Sequence, residues 1–291
     1  MAGHDSDVTT AENYRRFARL EAAGRSPAYE RLAEAVAGDE KMLEFLARLP
    51  PAKRQPNLLF AAARHLLGQP AGPDSLGHLV GGRGDELAAV MLQRRTQTNE
   101  PARCAVLLPA LALLPAPLAL HRGWAAAAGL TLLVDFYSYD YGGQKLTGLD
   151  PDAPVMSCRA IGAVPVPGAA PEVAWRAGLG LNPLDPSDPD DVEWLSCLLW
   201  PGEEGRAERL AAAAATARRH RVDVHRGGLL YDLDDLAALP TKQQGAVLCR
   251  YVAGLPYAAV GKLLNSSQAP VRRAAADGMR TLRLTVTRER S

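Results

Sequence analysis

The spacing of apolar residues changes twice along this chain, and those two changes limit what it can fold into. From Thr10 to Leu114 apolar residues recur at three- and four-residue intervals, as in Phe17, Leu20, Leu32, Val36, Leu43, Leu46, Leu58 and Leu59. That is the period of helices with one buried face. Ser26-Pro27 and Pro50-Pro51 punctuate these helices, and "QPAGPDSLGHLVGGRGDE" over 69–86 reads as a glycine- and proline-rich loop. The first change comes near Pro117. "LALHR" reads as a strand, "GWAAAAGL" over 123–130 as a turn, and the residues on to Asp135 as a helical stretch. "APVMSCRAIGAVPV", "PEVAWRAGLGL" and "RVDVHRG" read as further strands, with helices over 189–200 and 204–219. This gives three or four strands, fewer than a complete doubly wound sheet needs. The second change, at Leu239, brings a return to helices: three of them, divided by "AGLP" and "NSSQ".

Composition sharpens this reading at three points. Apolar residues make up 47% of the chain and aromatics only 5%, the balance leaning on alanine, which favours helices. The apolar run around 104–120 is interrupted by Pro109, Pro115 and Pro117, so no membrane span is expected, and the polar start "MAGHDSDVTTAENYRRF" carries no export signal. The expected location is the cytoplasm. Cys104, Cys158, Cys197 and Cys249 lie far apart in sequence, which predicts buried reduced thiols with neither a disulfide framework nor a metal site. Charge is uneven: 241–291 hold nine Lys/Arg against two Asp/Glu, and the rest of the chain holds 24 against 30. A basic tail on an acidic body marks the tail as an interaction module.

Within that tail, Val271, Ala274, Ala275, Gly278 and Leu282 form an apolar stripe on the last helix, with Arg272, Arg273, Arg280 and Arg283 outside it. Ser267 is placed to cap this helix and Pro270 falls in its first turn. The spacing describes a helix-turn-helix; the plainer alternatives are a solvated basic helix and a docking surface for another protein. Two polar clusters stand out upstream. "RQPN" puts Arg54, Gln55 and Asn57 at a helix start, and "RRTQTNEPARC" puts Gln97, Asn99, Glu100, Arg103 and Cys104 between helices. They could share a pocket in which arginine grips a carboxylate or phosphate. The alternative is capping by Thr98 or Asn99 ahead of Pro101. Asp135 and Asp140 could hold ribose hydroxyls or sit in a solvated turn. Asp188 or Asp190 in the acidic, proline-rich "NPLDPSDPDDVEW" can start the next helix, so a loop and cap is expected there, with a metal site as the alternative. His121, His220 and His225 have neither metal-ligand spacing nor a nucleophile partner, so surface or packing roles are expected.

The tail "LPTKQQGAVLCRYVAGLPYAAVGKLLNSSQAPV" resembles region 4 of bacterial sigma-70 factors, and the related module attached to some alkylguanine-DNA alkyltransferases. The Pro-Cys-His-Arg motif of the alkyltransferases is absent, so the resemblance implies DNA binding without alkyl transfer. Residues 10 to about 238 resemble an uncharacterised bacterial family, domain of unknown function 2332, through "GRSPAYERLA", "RQPNLLFAA", "RRTQTNEPARCA", "AAAAGLTLLVDFYSYDYGG" and "WRAGLGLNPLDPSDPDD". The family's glycine-rich element is similar to the nucleoside loop of Rossmann-type S-adenosylmethionine methyltransferases. Aligned on Gly129 and Leu130, this chain has Gly123 where that element has Glu, Ala125 where its first Gly falls, and Gly180 where an Asp is expected. The chain also passes at Asp235 straight into the tail, so the second half of the sheet is expected to be missing.

The expected fold is therefore α/β: a helical N-terminal region over 1–116, a truncated Rossmann-like α/β region over 117–238, and an all-α helix-turn-helix over 239–291. The expected function is DNA binding for transcriptional regulation. Double-stranded DNA is the partner, RNA polymerase is a further one that the sigma-type resemblance implies, and no membrane is involved. Gln268, Arg272 and Arg273 would reach base edges and Lys262, Arg280 and Arg283 phosphates, with Ser267 at the helix start. No bound cofactor and no catalysis are expected of the body. The alternatives are a methyltransferase-like enzyme taking S-adenosylmethionine at Ala125, Ala127, Gly129 and Asp135, and a non-catalytic protein-interaction scaffold.

Overall fold

A computed structural model describes residues 9–113, 118–122, 128–180, 182–203, 205–222, 224–226, 239–247, 249–250 and 256–288. In chain order it contains α1 (Thr10–Phe17, continued by a π turn over Ala18–Ala22), α2 (Pro27–Gly38), α3 (Glu40–Ala47), α4 (Pro56–Leu67), α5 (Pro73–Gln93) and α6 (Arg103–Leu111). There follow β1 (Leu118–Arg122), β2 (Ser138–Asp140), β3 (Lys145–Leu146), β4 (Val155–Ser157), β5 (Val173–Gly180), α7 (Pro189–Cys197), α8 (Arg206–His220) and β6 (Val224–Arg226). The chain closes with α9 (Thr241–Val247), α10 (Tyr257–Leu263) and α11 (Gln268–Arg288). An α/β class holds. No helix among the described residues is long and apolar enough to cross a membrane.

The chain divides into two compact units, and each is discontinuous: Met1–Thr98 with Asp185–Ala211, and Asn99–Leu184 with Ala212–Ser291. The first is helical. Its centre is an aromatic cluster in which Tyr29 lies 4.8 Å from Phe60, and Phe17 and Tyr29 lie 5.4 and 5.8 Å from Trp200. The helical period from Thr10 onward is realised, with Phe17, Leu32, Val36, Leu46, Leu58 and Leu59 buried, although Leu20 faces outward.

The second unit holds two small sheets. One is parallel in the order β1-β5-β6; the other, β3-β2-β4, pairs β2 antiparallel with β3 and parallel with β4. The "YSYDY" stretch builds the second sheet by simple alternation. Tyr137, Tyr139 and Tyr141 all turn inward, and their hydroxyls donate to the carbonyls of Leu130 (2.7 Å), Val134 and Ala105 (2.8 Å). Each buried hydroxyl thereby finds an acceptor, as burial requires.

Three expectations need correction. Residues 69–86 are not a loop: α5 runs through most of them with a kink at Arg83. Leu76, Leu79, Leu87 and Met91 supply its buried face, and a Cβ at Gly77 or Gly84 would make only ordinary contact with Met42 (4.0 Å) or Phe45 (3.8 Å). That buried face outweighs the low helix propensity of the glycines. Past Gly129 there is no helix to Asp135, only a single 3-10 turn over Leu130–Leu132. Finally, the described strands exceed the three or four expected, because β2 and β3 are two or three residues long and fall in a stretch rich in glycine and aspartate.

Candidate nucleic-acid interface

The three closing helices pack on one another around Ala246, Val260, Val271 and Ala275, with Cys249, Tyr257, Leu264 and Ala274 against that core. The chain reverses between α10 and α11 in four residues, and the local sequence explains how. Asn265 takes the left-handed conformation (φ 48°), Ser266 N–H donates to Gly261 C=O (2.8 Å) and Asn265 N–H to Lys262 C=O (3.3 Å). This pair of bonds is the Schellman closure of a helix end. It works only with glycine at 261, where a Cβ would stand 2.7 Å from Ser266 O. Gly278 serves the same kind of approach, since a Cβ there would lie 2.7 Å from the Val247 side chain.

The stripe on α11 is buried at Val271, Ala275 and Gly278, and Leu282 lies where no side chain is described. Lys262, Ser267, Gln268, Arg272, Arg273 and Arg280 are all exposed. Arg280 is paired with Asp277 at 3.0 Å on the surface, and the Arg283 side chain lies outside the described residues. Sequence reading missed Tyr257, whose ring has Arg272 5.3 Å and Arg250 5.0 Å from its centroid. The guanidinium of the exposed Arg272 lies over the ring, a contact that only the packing of α10 on α11 creates.

Several members of the polar clusters make local contacts. In the first unit Arg54 donates to the carbonyls of Leu49 (2.8 Å) and Ala47 (3.2 Å), closing the end of α3 rather than facing a ligand. Gln55 precedes α4 and accepts from Thr96 at 3.4 Å; Asn57 keeps a buried Oδ1 with no hydrogen-bond partner. Gln97 also lies in this unit. In the second unit Glu100 accepts from Ala102 N–H (3.1 Å), so the turn into α6 is capped by Glu100 and not by Thr98 or Asn99. Asn99 instead accepts from Ala128 N–H at 3.3 Å and leaves its buried Nδ2 without a partner, while Arg103 is exposed.

Ala125 and Ala127 lie outside the described residues. Gly129 takes a left-handed conformation (φ 71°), and a Cβ there would stand 3.0 Å from both Val222 and Val224, so its open side is filled by packing. Asp135 is not in a solvated turn. It is 2% exposed and both carboxylate oxygens accept from Arg176, at 2.9 and 2.7 Å. Asp140 does form a turn, accepting from Gly142 N–H at 2.9 Å. Asp188 caps α7 through Asp190 N–H (3.0 Å).

His220 packs face to face on Phe136 at 3.8 Å and donates from Nε2 to Asp150 Oδ2 at 2.8 Å. Arg219 binds the same oxygen at 2.7 Å, and Asp152 N–H binds Oδ1 at 2.9 Å. The side chains of His121 and His225 are outside the described set. Burial alone would raise the Asp150 pKa, but the hydrogen bonds from Arg219, His220 and Asp152 outweigh it and hold the carboxyl at about 2. A depressed pKa contributes stability that is complete above the unfolded value of about 4 and is lost as pH falls through the folded one. Urea midpoints are therefore expected to drop as the pH is lowered from about 4 towards about 2, and Asp150→Asn should flatten that part of the curve. An unchanged slope in the variant would remove Asp150 as its source.

The family model for an uncharacterized protein conserved in bacteria, domain of unknown function 2332, matches residues 11–77 and 69–253. The match passes the limit at 238 expected from the sequence and takes in α9, leaving α10 and α11 beyond it. No curated protein and no solved structure matches the chain.

Proposed function

We infer a function from the premise that this chain belongs to the uncharacterised bacterial family of domain of unknown function 2332, whose description names no activity. The reading then has to come from the chain's own surfaces, and it is sequence-dependent binding of double-stranded DNA through a helix-turn-helix formed by α10 and α11, in the service of transcriptional regulation. The observation that carries it is the four-residue reversal held by Gly261, Asn265 and Ser266. That reversal turns the first residues of α11 outward while Val271 and Ala275 face the core. Gln268, Arg272 and Arg273 are the base-reading set, Lys262, Arg280 and Arg283 the phosphate set, and Ser267 opens the helix. The sigma-type likeness of the tail extends the partners to RNA polymerase.

The body serves as a reduced Rossmann-like, non-catalytic support, a reading favoured by the parallel β1-β5-β6 sheet. Asp135 is fully engaged by Arg176, and Val222 and Val224 fill the open side of Gly129. An acid and a glycine so occupied are poor holders of a nucleoside.

Fluorescence anisotropy of the full chain on random-sequence duplex DNA tests this. Binding is expected to weaken with salt with a log–log slope of about −3 for three phosphate contacts. Arg272→Glu/Arg273→Glu should bind at least ~100-fold more weakly, since it turns two cations into anions beside the phosphates and binding to random-sequence DNA is electrostatic. Absence of binding by the wild type at low salt, or equal binding by the variant, overturns the reading.

A further inference from the structure

Three donors of different chemistry converge in the helical unit. Glu193 and Cys197 are four residues apart on α7 and so share one face, and α4, packed against α7, brings His65 to it. One ligand atom from each of the three lies within 4.8 Å of the other two. Cys197 is buried, the His65 side chain is 20% exposed and Glu193 opens to solvent. His65 Nδ1 is sealed from solvent without a hydrogen-bond partner, with Glu193 Oε1 3.5 Å away. A buried ring nitrogen so placed calls for an explanation. The other nitrogen, Nε2, faces Asp190 Oδ1 at 4.0 Å, and the Trp194 ring stands edge-on to the imidazole at 6.2 Å.

We propose that His65, Glu193 and Cys197 bind one zinc-class divalent transition metal, with Asp190 as the carboxylate that positions the imidazole. The donor set selects the metal class: thiolate, imidazole and carboxylate suit zinc, whereas calcium and magnesium take all-oxygen shells. A neutral imidazole binds through the Nδ1 lone pair while its Nε2 proton faces Asp190; at 4.0 Å that carboxylate is short of hydrogen-bonding the ring and its other oxygen is held by Arg94, so metal binding has to draw the pair together for Asp190 to fix the histidine. The Cys197 thiol proton is displaced to solvent on coordination. Thiolate and carboxylate then neutralise the dication, which suits a half-buried place. Bonds of about 2.0–2.3 Å need the donors to close to about 3.5 Å apart, and the solvent-facing Glu193 side chain supplies that movement. Three protein ligands leave a fourth position for water.

The test is titration of the reduced, metal-stripped full chain with Co²⁺ alone. One equivalent should bind, with a thiolate-to-cobalt charge-transfer band in the near ultraviolet and the visible bands of a four-coordinate ion, all abolished by added Zn²⁺. Cys197→Ser should lose the charge-transfer band, His65→Ala should bind at least ~100-fold more weakly, and Asp190→Asn about tenfold more weakly with the band retained. Cys158→Ser, in the other unit, should titrate like wild type. No charge-transfer band in folded wild-type protein, or a band that survives in Cys197→Ser, overturns the proposal.

Discussion

Asp135→Ala is expected to destabilise the second unit by about 3–5 kcal/mol, a large part of the stability of an ordinary domain. The cost comes from what remains. Arg176 is 15% exposed, lies 4.6 Å from the centroid of Phe136, and among the described residues keeps only a 3.3 Å bond to Leu132 C=O once the carboxylate has gone. A largely buried guanidinium without a counter-charge is far worse than no charge at all. Removing both partners in Asp135→Leu/Arg176→Met should recover most of the loss, because a desolvated ion pair and a packed apolar pair are close in free energy. Urea denaturation of the wild type, the single and the double variant measures this. A single variant within about 1 kcal/mol of wild type would mean the pair is open to water.

Gly148→Ala should be comparably severe, at about 3 kcal/mol or more. A Cβ built at 148 stands 2.2 Å from Phe136 O and 2.3 Å from Tyr137 O, and both atoms are backbone. Those atoms have no room to yield. Leu149 N–H is bonded to Asp135 C=O (2.9 Å), Asp150 N–H to Phe136 C=O (3.3 Å), and Gly148 N–H to Ser138 Oγ (3.2 Å). Gly168→Ala is the matched control, with nothing within 4 Å of the added methyl, and should stay within about 0.5 kcal/mol of wild type. Thermal or urea unfolding separates the two; equal stability in both would show that the 135–137 backbone gives way.

What could be read in the sequence was what repeats over a long stretch. The helices up to Leu114, α7, α8 and the reversal before α11 follow from apolar period and turn chemistry, which are local properties. Residues 69–86 misled because glycine and proline suggest a loop, whereas Pro73 sits in the first turn of α5 and the buried face of Leu76, Leu79, Leu87 and Met91 outweighs the helix cost of the glycines. The alternation of Tyr137, Tyr139 and Tyr141 was visible, but three residues are too short a window to separate a strand from a turn. Asp135 illustrates a further limit. Its partner lies on β5, so sequence could show an acid in an apolar setting but not the arginine that neutralises it. The grouping of His65 with Glu193 and Cys197 is hidden for the same reason, as a helix pair from distant parts of the chain creates it.

The discontinuity of the two units also bears on the order in which the chain can fold as it is made. Residues 1–98 leave the ribosome well before 185–211, and all of 99–184 must be synthesised in between. Until then the early helices have neither Trp200, which packs on Phe17 and Tyr29, nor α7, which packs on α4. The nascent first unit must hold its aromatic face open while the second begins to fold, and a fragment ending near Thr98 lacks the segment that closes its core. Completion of the N-terminal unit is thus a late event in the life of the chain, set by the return of residues 185–211.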